Sequence, residues 1–162
     1  MRWTHTRLAV FAVACLAMTL RADEANLDTA ETVIKAWAAT FIENDAERIM
    51  AFYERSQDTE CIVSAGERLQ GFDAIHAEYR RAHAEVRFLS STVNVVQSRT
   101  LGDTALVTFE HVWMAERLSD GSRWQGHVRT TSVLRQIEHK WTIVSEHSSP
   151  IRNFEPRTRI DD

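Results

Sequence analysis

The chain has few of the residues that most often carry covalent or metal chemistry. It has two cysteines among 162 residues, Cys15 and Cys61. They have no zinc-ligand spacing, and one of them lies in an N-terminal segment expected to be removed, so no disulfide framework follows. Cys61 sits in the apolar run Glu60-Cys61-Ile62-Val63-Ser64 and reads as a buried, inert thiol. Proline occurs twice and glycine five times, with no low-complexity linker. No dinucleotide fingerprint, phosphate loop or nucleophile elbow is present, which argues against the chemistries those motifs carry. There is no basic run either. Lys and Arg total 19 against 23 Asp and Glu, a formal net charge of −4. That balance argues against nucleic acid or anionic lipid as a partner.

The N-terminus holds one uncharged apolar run, residues 8–20, behind Arg2 and Arg7. It is short for a bilayer span and has the layout of a secretory signal over residues 1–22, with cleavage after Ala22. The expected location is therefore periplasmic or secreted, with no membrane contact beyond that segment. Lipidation at Cys15 is an alternative, weakened by the apolar residues that follow it. A retained anchor or a buried N-terminal helix is the bland reading. Losing Arg2, Arg7 and Arg21 leaves 16 basic residues against 23 acidic ones, or −7.

The remaining 44% of hydrophobic residues is patterned. Ala30, Val33, Ile34, Trp37, Ala38 and Phe41 recur at helical spacing and predict an amphipathic helix. Asp28 with Glu31 resembles a capping box. A second short helix follows Asn44, with Ile49, Met50 and Tyr53 facing inward. A third runs over about residues 73–83, with Ile75, Tyr79 and Ala82 on one side. Its His76, Arg80 and His83 share another side, expected to be solvated or an interface. From Val86 the period becomes two, giving strands at roughly 86–98, 103–117, 122–137 and 140–148. Gly102-Asp103, residues 119–122 and Glu138-His139 make the turns. With one earlier strand around Cys61, the order is α-α-β-α-β-β-β-β. The expected class is α+β: a curved antiparallel sheet wrapped around helices as a cone-shaped half-barrel. One domain over residues 28–150 is followed by a tail, 151–162, expected to be disordered beyond Phe154.

In this order the chain resembles the nuclear transport factor 2-like superfamily, and within it the SnoaL-like proteins. The resemblance rests on residues 37–45, on Gly71-Phe72-Asp73-Ala74-Ile75, and on residues 129–134 leading to Trp141, Ile143, Val144, His147 and Ser149. That last segment also resembles the association domain of calcium/calmodulin-dependent protein kinase II. The resemblance implies the cone fold but names no single activity, because the family spans enzymes and non-catalytic modules. In ketosteroid isomerases of this fold a tyrosine of the first helix donates to an oxyanion, and an aspartate on the first strand is the base. The matching positions here are Trp37 and the stretch Cys61-Ile62-Val63, which has no carboxylate.

Hairpin register yields a candidate site. Pairing across Asp120-Gly121 sets His111 opposite Arg129, and pairing across Glu138-His139 sets Arg129 opposite His147. Residues directly opposite one another share a face, so the three form a row inside the cone. Arg129 is then the fork for a carboxylate or enolate, and neutral His111 and His147 are the candidate catalytic bases. Trp37, Tyr53 and Trp113 shape an aromatic wall, with ordinary core packing as the alternative. Phe109, Thr131 and Ser145 complete the expected lining. Metal ligation by His111, His147 and Glu110 or Glu146 is the weaker reading. Alternation turns Glu146 away from His147, and Arg129 repels a cation. No metal and no cofactor are expected. The functional expectation is an exported protein with a small-molecule pocket, doing acid/base chemistry of isomerase, lyase or hydrolase type on a small acidic or carbonyl-bearing ligand. The alternative is a non-catalytic ligand-binding or assembly module. A homodimer is expected in either case.

Overall fold

The computed structural model describes residues 27–151 and 158–160. The segment expected to be a secretory signal, Cys15 included, lies outside the described residues. Helix α1 (Ala30–Ala39) buries Ala30, Val33, Ile34, Trp37 and Ala38, the stripe that its helical period sets up. Its cap lies one residue past Asp28. The Thr29 side chain accepts from the Thr32 N–H, and the Thr32 hydroxyl accepts from the Thr29 N–H. Thr32 thus does the reciprocal job expected of Glu31. A 3-10 turn (Thr40–Glu43) ends at Asn44, whose φ of 55° lies in the left-handed region. A short polar side chain tolerates that conformation. Asn44 also reaches across to the sheet: its Oδ1 accepts from the Phe88 N–H at 2.7 Å and its Nδ2 donates to the Phe88 carbonyl at 3.2 Å. Helix α2 (Ala46–Met50) is capped by Asp45 and buries Ile49 and Met50.

Two short strands follow, β1 (Glu60–Ile62) and β2 (Arg68–Gln70), then helix α3 (Phe72–Glu85). Strand β2 is an addition to the expected order. The long strands are β3 (Val86–Leu101), β4 (Thr104–Arg117), β5 (Arg123–Ile137) and β6 (Lys140–Pro150). The sheet runs β2-β1-β6-β5-β4-β3 and stays open; among the described strands β1 and β6 pair in parallel and the others antiparallel. Glu138 and His139 both have positive φ, as a two-residue turn matching the strand twist requires. The tail departs from expectation. Strand β7 (Thr158–Ile160) pairs with Arg123, Trp124 and Gln125 of β5. Strand β4 holds one edge of β5 there, so β7 takes the other, which β6 vacates at Pro150.

Three irregularities break the ladders: Leu89 and Val96 on β3, and Val144 on β6, each left without a register partner. Such bulges bend and twist long strands. The α+β sheet curls round the helices, and the concave face packs Val107, Phe109, Leu134 and Ile143 against Trp37, Ile34, Ile49 and Ile75. Each such fully buried side chain contributes about 1.5–3 kcal/mol.

Candidate acid/base site

Four polar side chains meet inside the cone. Ser132 of β5 and Glu146 of β6 are register partners, so both face inward. Cys61 of β1 flanks Glu146 on its other side. Tyr53 is held beside β6 because its neighbours bond Ile143. The Ile143 N–H donates to the Phe52 carbonyl at 2.8 Å, and the Glu54 N–H donates to the Ile143 carbonyl at 2.9 Å. Tyr79 comes from α3.

The Tyr53 hydroxyl donates to Glu146 Oε2 at 3.1 Å, and Ser132 Oγ donates to the same oxygen at 3.4 Å. The Tyr79 hydroxyl lies 2.9 Å from that of Tyr53. A phenol has one proton to give. With Tyr53 committed to Glu146, Tyr79 donates to Tyr53.

Burial sets the electrostatics. Glu146 is 4% exposed. Loss of solvent pushes its carboxyl up to about 7, against the opposing pull of the Tyr53 and Ser132 hydrogen bonds. Burial first, and the Glu146 charge second, raise both phenols, so Tyr53 and Tyr79 stay protonated. Burial pushes the His111 imidazole down to about 4, which keeps it neutral at pH 7. Its Nε2 is 2.9 Å from Ser91 Oγ, and its ring lies edge-on to Trp37 and Phe41.

A cavity of about 210 Å³ opens beside this set, with Trp37, Cys61, Tyr79, His111, Glu146 and Ser148 in its wall. Both hydrogen bonds to Glu146 use Oε2, which leaves Oε1 for the cavity. The Trp37 Nε1–H is buried and makes no hydrogen bond of full geometry. It still leans on the Tyr79 phenol enough to oppose that group's upward shift. A buried donor without an acceptor costs about 1–3 kcal/mol, and an acceptor on a ligand here would relieve it. The wall therefore offers a carboxyl that gives or takes a proton near neutrality, a phenol, an indole donor and a neutral imidazole.

The expected row of His111, Arg129 and His147 does not form. His111 opposes Val128, Arg129 opposes Glu110 and Ser149, and His147 opposes Thr131. Two physical causes act together. The loop between β4 and β5 pairs Glu116 with Arg123, one residue off the expected register. The bulge at Val144 then reverses the parity of β6 after Ile143, so Ile143 and Glu146 both point inward. As a result Arg129, Thr131, Ser145 and His147 lie on the outer face. Arg129 pairs there with Glu110 at 2.8 Å and holds that carboxyl below its ordinary range, helped by His127. Thr131 meets the Thr108 hydroxyl at 3.3 Å, and His147 is exposed.

Of the other expected residues, Trp37, His111 and Trp113 line the cavity. Tyr53 stands behind Glu146, and Phe109 packs under Trp37 with ring centroids 5.9 Å apart. The metal set is divided between two faces, since His111 points in and His147 out. Among the described residues no three His, Cys, Asp or Glu gather at metal-binding distance. The solvated helix face holds for Arg80 alone. His76 Nε2 lies 2.7 Å from Glu47 Oε1, and the half-buried His83 ring packs on Phe88. Glu146, set aside as outward-facing, is the buried carboxyl that alternation placed on the wrong face. Its neighbours Ser145, His147 and Ser148 are all polar, so no hydrophobic pattern marks the parity there. The carboxylate missing from β1 thus arrives from β6, beside Cys61.

A curved open sheet over helices, with an acid/base-lined cavity in its hollow, defines the cone-shaped pocket proteins of the nuclear transport factor 2-like class. The chain belongs to the SnoaL-like domain family, whose model matches residues 30–153. A ketosteroid isomerase-like protein from Erwinia carotovora is similar in structure, with a TM-score of 0.67 and 18% identity over 77% of this chain and 95% of that one. A nuclear transport factor 2-like superfamily protein from Salmonella enterica gives 0.64 and 20%, over 73% and 85%. A candidate calcium/calmodulin-dependent protein kinase type II association domain from Thiobacillus denitrificans gives 0.64 and 23%, over 76% and 96%. At these identities the likeness is one of fold. Comparison with curated proteins found no match.

Proposed function

We propose that this chain is an exported pocket protein that binds a small carbonyl-bearing molecule and moves a proton on it through Glu146, with no cofactor. The observation that carries the reading is the buried Glu146 carboxyl, titrating near neutrality with Oε1 left for the cavity. A general base poised near the working pH combines availability with driving force. Arg129 lies outside, and Arg81 in the cavity wall is already paired with Glu78 and Glu85, so the reading takes the part of the ligand in the inner cavity as uncharged.

In the proposed step, Glu146 Oε1 takes a proton from the carbon next to the carbonyl. The C–H electron pair moves into the new C=C bond, and the carbonyl π electrons move to oxygen. The Trp37 Nε1–H, which has no acceptor of its own, donates a hydrogen bond to that oxygen as its charge grows, while the Tyr79 hydroxyl goes on donating to Tyr53. Return of the proton from Glu146 to a different carbon gives an isomer, and loss of a β-substituent gives elimination. The ketosteroid isomerase-like neighbour supports this reaction type by analogy of fold.

The test is solvent deuterium exchange at the α-carbon of a panel of small ketones and enones, followed by NMR. The wild type should accelerate exchange for at least one member, with a rate that rises through about pH 7. Glu146→Gln, which keeps shape and loses the base, should lower it by about 10²–10⁴-fold. Equal exchange by wild type and Glu146→Gln would sink the reading.

The alternative remains a non-catalytic binding or assembly module. Exposed Leu106 and its register partner Val133, side by side on the outer sheet face, favour a homodimer there. Light scattering that returns the monomer mass at micromolar concentration would remove the assembly reading.

A further inference from the structure

The inner cavity shares a wall with a larger chamber of about 510 Å³. Glu78, Arg81, Ala82, Phe88 and Trp113 line both. The chamber sits where the end of α3, the start of β3, the end of β4 and the start of β5 converge. Its surface is aromatic on one side: Phe88 and Trp113 meet edge-to-face with centroids 5.7 Å apart. On the other side the Arg117 guanidinium lies over the Trp124 ring, 4.9 Å from its centroid.

The two arginines here are not equivalent. Arg81 is committed to Glu78 at 2.5 Å and Glu85 at 2.8 Å, which also occupies both carboxylates. Arg117 has no carboxylate partner among the described residues. Its neighbour Glu116 belongs to the other face and is engaged by Arg87 and Arg123. The Arg117 backbone is pinned: its N–H donates to the Ser122 carbonyl at 2.8 Å, and its carbonyl accepts from the Gly121 N–H at 2.9 Å. Trp124 is held in turn, its Nε1 donating to Ser122 Oγ at 3.2 Å. A planar cation stacked on an indole, with its N–H edges uncommitted, is preorganised for a forked contact with an oxyanion. Aromatic edges a few ångströms away suit a flat apolar body.

We infer that the outer chamber is a second subsite, which takes an aromatic ring system bearing a carboxylate or sulfonate, with the ring against Phe88 and Trp113 and the anion on Arg117. That this group is the far end of the molecule whose carbonyl reaches Glu146 rests on the proposed acid/base reading. The substrate class is then an aromatic or polycyclic acid with a carbonyl at the opposite end. The acidic half of the ligand expected from the sequence is thus recognised by Arg117 in place of Arg129.

Two fluorescent probes separate the ring from the charge. Anilinonaphthalene sulfonate carries an aromatic body and an anion, and N-phenylnaphthylamine is its uncharged counterpart. Equilibrium titration of the full protein should show saturable binding of both. Arg117→Gln should weaken the sulfonate by roughly tenfold, the value of one charge-assisted contact, and leave the neutral dye unchanged. Trp113→Ala should weaken both. The sulfonate's advantage should shrink with added salt. Unequal loss in Arg117→Gln supports the subsite. Equal loss of both dyes, no loss of either, no response to Trp113→Ala, or no saturable binding by the wild type overturns it. These titrations read affinity alone, so failure of Glu146 as the base would leave their result standing.

Discussion

At the scale of single residues, burial decides which side chain has a role. Arg129 and Glu146 are both charged residues on neighbouring strands of one sheet, yet solvent screens the first and is denied to the second. The Arg129 side chain is 54% exposed and that of its partner Glu110 27%. Exposed ion pairs of this kind contribute little to stability. Arg129→Ala should therefore leave pocket affinity for either dye unchanged and shift the melting temperature by less than about 3 °C. A clear loss of ligand affinity in that variant would mean that β4 and β5 pair one residue away from the register described. The aromatic residues follow the same logic. Trp37 and His111 read correctly as inward-facing from sequence because α1 and β4 are regular around them. Arg129, Thr131, Ser145 and His147 did not, because each lies beyond a point where regularity fails.

At the scale of elements, the legible parts are those with an unbroken period. The α1 stripe, the α3 face and the inner row of β4 follow from apolar spacing alone, and the Gly102-Asp103 turn from its residue types. A bulge has no comparable signature. It displaces one residue, and on β6 that residue is Val144, apolar like the Ile143 beside it. The short β2 and the late β7 were equally hidden, since three residues are too few to show a period. Asn44 is another device of this scale. It ends the helical segment in the left-handed region and clamps the edge of β3 at Phe88, next to the bulge at Leu89. Phe88 walls both chambers, so the clamp positions the pocket. Asn44→Ala should destabilise by about 2–4 kcal/mol, combining two lost hydrogen bonds with left-handed strain. Asn44→Gly, which tolerates the backbone angle, should be the milder by about 1 kcal/mol. Urea midpoints for the two variants check this, and equal midpoints would assign the whole loss to the clamp.

At the scale of the whole molecule, two buried groups give stability opposite dependences on pH. The Glu146 carboxyl rises in the fold from 4.5 to about 7, so the native state holds its proton longer than the unfolded chain does. Its contribution is complete below pH 4.5 and is lost as pH rises through 7. The His111 imidazole falls from 6.5 to about 4, so its contribution is complete above 6.5 and is lost as pH falls through 4. Where the windows overlap the slopes oppose each other, and their joint effect should be nearly flat. Outside the overlap each acts alone. Glu146→Gln should therefore gain on the wild type by up to roughly 3 kcal/mol between about pH 5 and pH 8. His111→Asn should remove the loss on the acid side and leave the alkaline loss in place. Urea unfolding of the three proteins at about pH 4, 6 and 8 reads both terms. Wild-type and Glu146→Gln curves that stay parallel across this range would show a carboxyl titrating as it does in water. The alkaline cost and the proposed chemistry would then fail together, because both require that water be excluded from Glu146.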